Sequence, residues 1–243
     1  MSKIPYSLKK LTAYAERNSS HGAYGGSRAY DEILEKGGIK RGYNIVDIGC
    51  GNGLQFENLS RAVGPKGYVT GIDASEKFIG LANKVIDKLP LKNVRAIHAD
   101  AQRLGSYVDF ESKDAVLILE VFTCVGPSMA GNLMRKGVRA CKIGGQISVS
   151  ADSKDFCVAC LEYREAPRAE IRSAQSGKLE YAPGLHSSVF SKDDIEKAFR
   201  ELGCKAEVWH ITKKEIDPVN VSSLPENLWK SPAILFARAT KLE

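Results

Sequence analysis

The sequence predicts a doubly wound α/β domain on a mostly parallel sheet, and three observations carry that expectation. Through the middle of the chain, strand-like stretches alternate with stretches whose apolar residues recur at helical spacing. The segment DAVLILEVF at 114–122 is apolar on both faces, as a central parallel strand is. A glycine turn, DIGCGNG at 47–53, follows the first strand and opens a helix. Open α/β sheets bind ligands beside such turns, at the carboxyl ends of their strands.

The elements follow in order. YNIVDIG (43–49) is a buried strand, and LQFENLSRAVG (54–64) a helix stopped by Gly64 and Pro65. GYVTGIDAS (67–75) is the second strand. The helix over 75–89 is capped by Ser75, carries Glu76 in its first turn and ends before Pro90. NVRAIHADA (93–101) and DAVLILEVF (114–122) are the third and fourth strands. SMAGNLMRKGVRACKIGG (128–145) reads as a helix with late basic residues and a Gly-Gly exit, feeding a fifth strand over 145–153. SKDDIEKAFRELGC (191–204) is a helix capped by Ser191, followed by strands at 204–211 and 231–241.

Two regions stand outside this alternation. Residues 1–40 carry helical stretches ahead of the first strand, read as N-terminal lid helices that include Tyr24. Residues 154–190 are far longer than an ordinary connection. They read as an inserted cap over the ligand crevice within a single domain spanning 1–243.

Composition narrows the function. A content of 43% hydrophobic and 26% charged residues is that of an ordinary globular protein, and no apolar run is long enough to span a bilayer. The first twenty residues lack the apolar core of a secretory signal, and the six cysteines fall in patterns that predict reduced thiols. Together these predict a cytoplasmic protein. The net charge of +6 is spread along the chain, which argues against a nucleic-acid partner. Oligomeric state is not written in any pattern.

The glycine turn decides the ligand. Gly49, Gly51 and Gly53 let the backbone turn sharply and come close to a bound group. A dinucleotide turn needs a further glycine at its sixth place, where Leu54 stands, and no Gly-Lys-Ser/Thr of a phosphate loop ends the turn. Asp47, just ahead of the glycines, repels a pyrophosphate and suits a cation. Asp73, at the end of the second strand, can accept from both hydroxyls of a ribose. Asp100, at the end of the third, can accept from an adenine amino group. Three acids at three strand ends describe a ligand with a ribose, an adenine and a positive charge.

VDIGCGNG, VTGIDAS, HADAQRL and DAVLILEVF, in this order and spacing, resemble the four motifs of the class I S-adenosylmethionine-dependent methyltransferases. KIGGQISVS resembles that family's fifth strand. The resemblance implies a Rossmann-like sheet of seven strands in the order 3-2-1-4-5-7-6, the seventh antiparallel. It also implies S-adenosylmethionine as cofactor. Its methionine moiety would lie against Gly49–Gly53, its ribose on Asp73 with Ala74 and Ser75 beside the adenine, and its adenine edge on Asp100 and Ala101. Glu120 and Val121 would lie by the transferred methyl and the amino group. There is no Asn/Asp-Pro-Pro-Tyr after the fourth strand, which speaks against amino methylation of nucleobases or glutamine. Cys124 follows Thr123 where cytosine-C5 enzymes have Pro-Cys.

These readings predict methyl transfer to a small-molecule acceptor under the 154–190 cap. A peptide or protein side chain is the alternative acceptor, and a non-catalytic S-adenosylmethionine-binding protein the alternative class. Glu120 and His186 are the candidate catalytic groups; a buried basic partner is the other use for Glu120. Cys157 and Cys160 form a Cys-x-x-Cys pair without a second pair, so no metal site is predicted. Arg164, Arg168 and Arg172 recur at helical spacing, but Pro167 interrupts them and glutamates interleave, which predicts a solvated face.

Overall fold

The first strand, β1 (Asn44–Ile48), sets the frame of the computed structural model, which describes residues 33–182, 185–212, 225, 228 and 232–242. Its side chains alternate: Val46 and Ile48 join one hydrophobic cluster, while Ile45 joins another with Phe56, Leu59 and Leu117. A strand buried on both faces belongs in the middle of a sheet covered by helices on both sides. Here β1 pairs in parallel with β2 (Tyr68–Asp73) and β4 (Lys113–Ile118). Beyond β2 lies β3 (Val94–His98), also parallel.

On the other side, β4 pairs in parallel with β5 (Cys141–Ser153). Next come β9 (Pro232–Lys241), antiparallel to β5, and β8 (Cys204–Thr212), antiparallel to β9. The central order is therefore β3-β2-β1-β4-β5-β9-β8. This is the seven-strand order, with its antiparallel seventh strand, that the family resemblance implies.

The connecting helices obey the predicted start and stop signals. α1 (Phe56–Val63) buries Phe56, Leu59 and Val63 and ends at Gly64, whose φ is 66°. α2 (Glu76–Lys88) is capped by the Ser75 hydroxyl, which accepts from the Phe78 N–H at 3.0 Å. α3 (Pro127–Ala140) follows β4, and α6 (Lys192–Glu201) has a capping box between Ser191 and Asp194. One boundary differs from expectation. The helix read to Gly145 stops at Ala140, because Cys141 already turns extended and starts β5. The Gly-Gly pair instead lies in a register shift of the β4–β5 ladder, with Gly144 at φ 74°.

Residues 154–190 fold into α4 (Lys154–Tyr163), α5 (Arg168–Gln175) and a hairpin of β6 (Lys178–Ala182) and β7 (Leu185–Phe190). β7 pairs in parallel with the last two residues of β5, Asp152 with Val189 and Ser153 with Phe190. Asp152 also pairs with Ile234 of β9. β7 therefore occupies the edge of β5 that β4 uses lower down, above the point where β4 stops. The Phe122–Phe190 ring contact at 5.6 Å and the Ser188 hydroxyl on the Val125 carbonyl at 2.6 Å fasten the hairpin there. Of the N-terminal segment read over 1–40, residues 1–32, with Tyr24, lie outside the described residues. Residues 33–36 are helical, and Ile33 and Leu34 enter the cluster of Ile45.

Candidate functional site

At the carboxyl end of β1 the chain turns through three glycines in left-handed conformation: Gly49 (φ 80°), Gly51 (φ 55°) and Gly53 (φ 76°). Only glycine adopts such a run without strain. The Gly49 N–H donates to the Ile72 carbonyl at 2.7 Å, which ties the turn to β2. A Cβ at Gly49 would lie 2.3 Å from Val121 Cγ2, so this glycine is needed for packing against the segment after β4. A Cβ at Gly51 meets nothing within 4 Å. The middle of the turn thus borders open space on the side where a ligand would lie. A Cβ at Gly53 would sit 2.8 Å from the Phe56 ring and 3.0 Å from the Ala82 backbone. Gly53→Ala should therefore lower folding stability by ~1–3 kcal/mol, measured by urea unfolding.

Three acids surround the turn. Asp73, at the end of β2, accepts the Gly51 N–H on Oδ2 at 3.0 Å and the Ser75 N–H on Oδ1 at 2.8 Å. Asp47 is buried at 5% exposure. Burial, and then the neighbouring Asp73 charge, push its carboxyl up from 3.8 to about 7. Cys50, within the turn, has its thiol pushed up by burial and by the same two acids. Asp100 is also buried and caps the short 3-10 segment Ala101–Ser106 through the Gln102 N–H, at 2.8 Å. Ala74 is fixed from the far side, since His98 Nε2 lies 3.0 Å from its carbonyl and must carry the proton to donate.

The fourth wall is strained. β4 ends at Ile118, short of the predicted 122, and Glu120 takes a left-handed φ of 61°. A non-glycine residue in that region costs about 1–3 kcal/mol and persists only where its surroundings hold it. Here the Glu120 N–H donates to Ser150 Oγ at 2.8 Å, and its carbonyl accepts from Thr123 Oγ1 at 2.7 Å. The Cys124 thiol just beyond is pushed up by burial and by the charges of Glu120, Asp152 and Asp73, despite a hydrogen bond with Thr123. The charges of Glu120 just past β4, Asp152 near the end of β5 and Asp73 at the end of β2 therefore all act on the Cys124 thiol in the same direction. Asp152 is the one that sequence reasoning passed over. Its place at the end of a predicted central strand, the same position as Asp73 and Glu120, was the available signal.

His186 lies elsewhere. It sits half-buried on β7, opposite Glu180, and helps line a groove of about 850 Å³ with Gln102, Met129, Asn132, Arg135 and Lys178. The groove shares two of its walls with the site. Gln102 follows Asp100 and Ala101, and Gly126 follows the Phe122–Cys124 turn. Cys157 is on α4, its thiol pushed up to about 12 by burial, Asp152 and Cys160, and so it stays protonated at neutral pH. Arg164 follows the end of α4 and Arg168 begins α5, with Pro167 between them, so the arginines do not form one helical stripe.

This arrangement offers a cradle at Gly51, carboxylate oxygens at Asp47, Asp73, Asp100 and Glu120, and no cation among these strand-end side chains. It suits a ligand rich in hydroxyl and amino donors and carrying positive charge. Residues 45–145 match the family model described as a methyltransferase domain. A probable cobalt-precorrin-6B C(15)-methyltransferase (decarboxylating) of Thermoplasma volcanium is 34% identical over 119 residues, 49% of this chain and 55% of that protein. A demethylmenaquinone methyltransferase of Staphylococcus aureus is 36% identical over 72 residues, 30% of this chain and 29% of that protein. The chain thus spans about half or less of the curated relatives it matches. Among solved structures, the geranyl diphosphate C-methyltransferase of Streptomyces coelicolor A3(2), in complex with Mg2+, geranyl diphosphate and S-adenosyl-L-homocysteine, superposes with a TM-score of 0.69. That likeness covers 99% of this chain and 100% of the other at 13% identity, and it speaks to the fold alone.

Proposed function

We propose that this chain is a class I S-adenosylmethionine-dependent methyltransferase and transfers a methyl group from S-adenosylmethionine to a small-molecule acceptor. The observation that carries the reading is the seat at the sheet's carboxyl edge, where the open face of Gly51 is pinned to the Asp73 carboxylate. Asp73 would hold the ribose hydroxyls, with Ala74 beside the adenine and Asp100 and Ala101 at the adenine edge. Gly49, Gly51 and Gly53 would let the backbone approach the methionine moiety, and Asp47 and Glu120 would balance its positive charge. When bound, the cofactor supplies a methyl already activated on a sulfonium.

The chain's own contribution is then alignment and exclusion of water. Its strained Glu120 fixes one wall, and the elements of 154–190 stand above the end of β4, where an acceptor would enter as under a cap. If the acceptor carries a proton, His186 in the adjoining groove is the base proposed to take it. The precorrin and menaquinone-precursor methyltransferases, both similar over part of their length, support a small acceptor. Exposure of Pro127, Ser128 and Arg135 at the groove rim favours, as a second reading, a peptide side chain. Incubation with methyl-labelled cofactor and a cell extract split by size separates the two. Label is expected in the small-molecule fraction; label confined to protein or RNA overturns the small-acceptor reading. Tight cofactor binding with no transfer to any fraction would instead mark a non-catalytic binding protein.

A further inference from the structure

We infer that the groove beside the site binds an oxyanion, a carboxylate or phosphate group carried by the methyl acceptor. The inference rests on the methyl-transfer reading and adds the acceptor's chemical class to it. The groove is lined by Arg135 of α3, Lys178 of β6 and His186 of β7, with Gln102, Ser128 and Asn132 as further polar groups. Among the described residues no carboxylate lines it. Among the described residues neither Arg135 nor Lys178 sits in an ion pair, whereas Lys142, Lys154, Lys241 and Arg238 each have an acidic partner. Two cations facing one cavity repel each other, and an anion relieves that repulsion.

A second observation points the same way. His186 Nδ1 is a buried atom with no hydrogen-bond partner among the described residues. Buried polar atoms in native proteins are nearly always satisfied, and the exceptions often mark the place of a ligand group. The start of α3 adds to the field. Its N-cap is Gly126, without a side-chain cap, and its first turn has no acidic residue, so the helix dipole presents positive charge to the same groove.

The groove's charge is opposite to that of the adjoining seat. Acids stand at the glycine turn, while Arg135 and Lys178 line the groove with His186, whose cross-strand neighbour Glu180 is not among the lining residues. A cationic cofactor and an anionic acceptor would each find its own half of one continuous edge, and each half would reject the other's ligand. Arginine suits this task because its planar fork can hold two oxygens of a carboxylate or phosphate.

The test uses isothermal titration of the full chain with inorganic pyrophosphate and, separately, citrate, alongside S-adenosylhomocysteine. At low ionic strength at least one anion should bind wild type, and the double variant Arg135→Gln/Lys178→Gln should weaken it tenfold or more. S-adenosylhomocysteine affinity in that variant should stay within twofold of wild type, which also shows that the variant is folded. Preference for pyrophosphate over citrate assigns a phosphate, and the reverse a carboxylate. Absence of binding by both anions, or binding undiminished in the double variant, overturns the inference. If wild type fails to bind S-adenosylhomocysteine, the methyl-transfer reading falls instead, and the acceptor role of the groove with it.

Discussion

Asp73→Ala should weaken S-adenosylhomocysteine binding by ~2–4 kcal/mol, about 30- to 1,000-fold, measured by calorimetry. Two proposed charge-assisted hydrogen bonds to the ribose disappear in the variant, each in the usual range for a charged acceptor. The structure adds a second reason. The same carboxylate accepts from the Gly51 and Ser75 N–H groups, so removing it also releases the turn that forms the seat. Asp73→Asn separates the two contributions, because an amide oxygen can still accept one backbone N–H but carries no charge. Affinity that recovers in Asn assigns the effect to the turn, whereas affinity as low as in Ala assigns it to the ribose contact. Unchanged affinity in Ala means that the ribose assignment is wrong.

Much of this seat was legible in the sequence because it depends on local chemistry. Three glycines at alternate positions can only follow a strand in a few ways, and Gly49, Gly51 and Gly53 all take the left-handed conformations that such a turn requires. Strand ends were legible for the same reason, since an acid closing an apolar run is conspicuous. That logic reached Asp47, Asp73, Asp100 and Glu120. It missed Asp152 because serines and alanine surround it in SVSADS and dull the contrast.

The hairpin of β6 and β7 was not legible either. KLEYA and LHSSVF alternate only weakly, and what makes β7 a strand is its pairing with Asp152 and Ser153, more than thirty residues earlier. Long-range pairing of that kind overrides local preference. The cation groove has the same origin, because Arg135 and Lys178 come together through the placement of the hairpin beside α3. The end of β4 was misjudged for a different reason. EVF continues an apolar strand by composition, and nothing in the residue type announces that Glu120 will take a left-handed φ.

Asp47→Asn should make the protein without cofactor more stable above pH 7, while weakening its grip on a cationic ligand. The sign follows from the direction of the shift. Asp47 is raised from 3.8 to about 7 in the folded chain, so the folded state holds a proton that the unfolded chain has already released. Its contribution to stability is therefore most favourable below pH 3.8, falls as pH rises toward 7, and is flat beyond. At ~1.4 kcal/mol per pH unit, that rise amounts to ~4 kcal/mol. An asparagine of the same shape does not titrate. Urea unfolding should therefore give equal stabilities for variant and wild type near pH 4, and a variant more stable by up to ~4 kcal/mol at pH 8. Equal stabilities at pH 8 would show that Asp47 is not under strain. Such a cost is large beside the ~5–15 kcal/mol that holds an ordinary domain together. A carboxylate kept there needs a compensating use, and a cationic ligand supplies one, because it favours the ionised form. Wild-type affinity for S-adenosylmethionine should then rise with pH through 7, with a proton released on binding that calorimetry detects as a dependence on buffer ionisation heat. In Asp47→Asn both the pH dependence and the proton release should vanish, leaving a weaker and pH-independent affinity. Proton release that persists in the variant would assign the titration to another group.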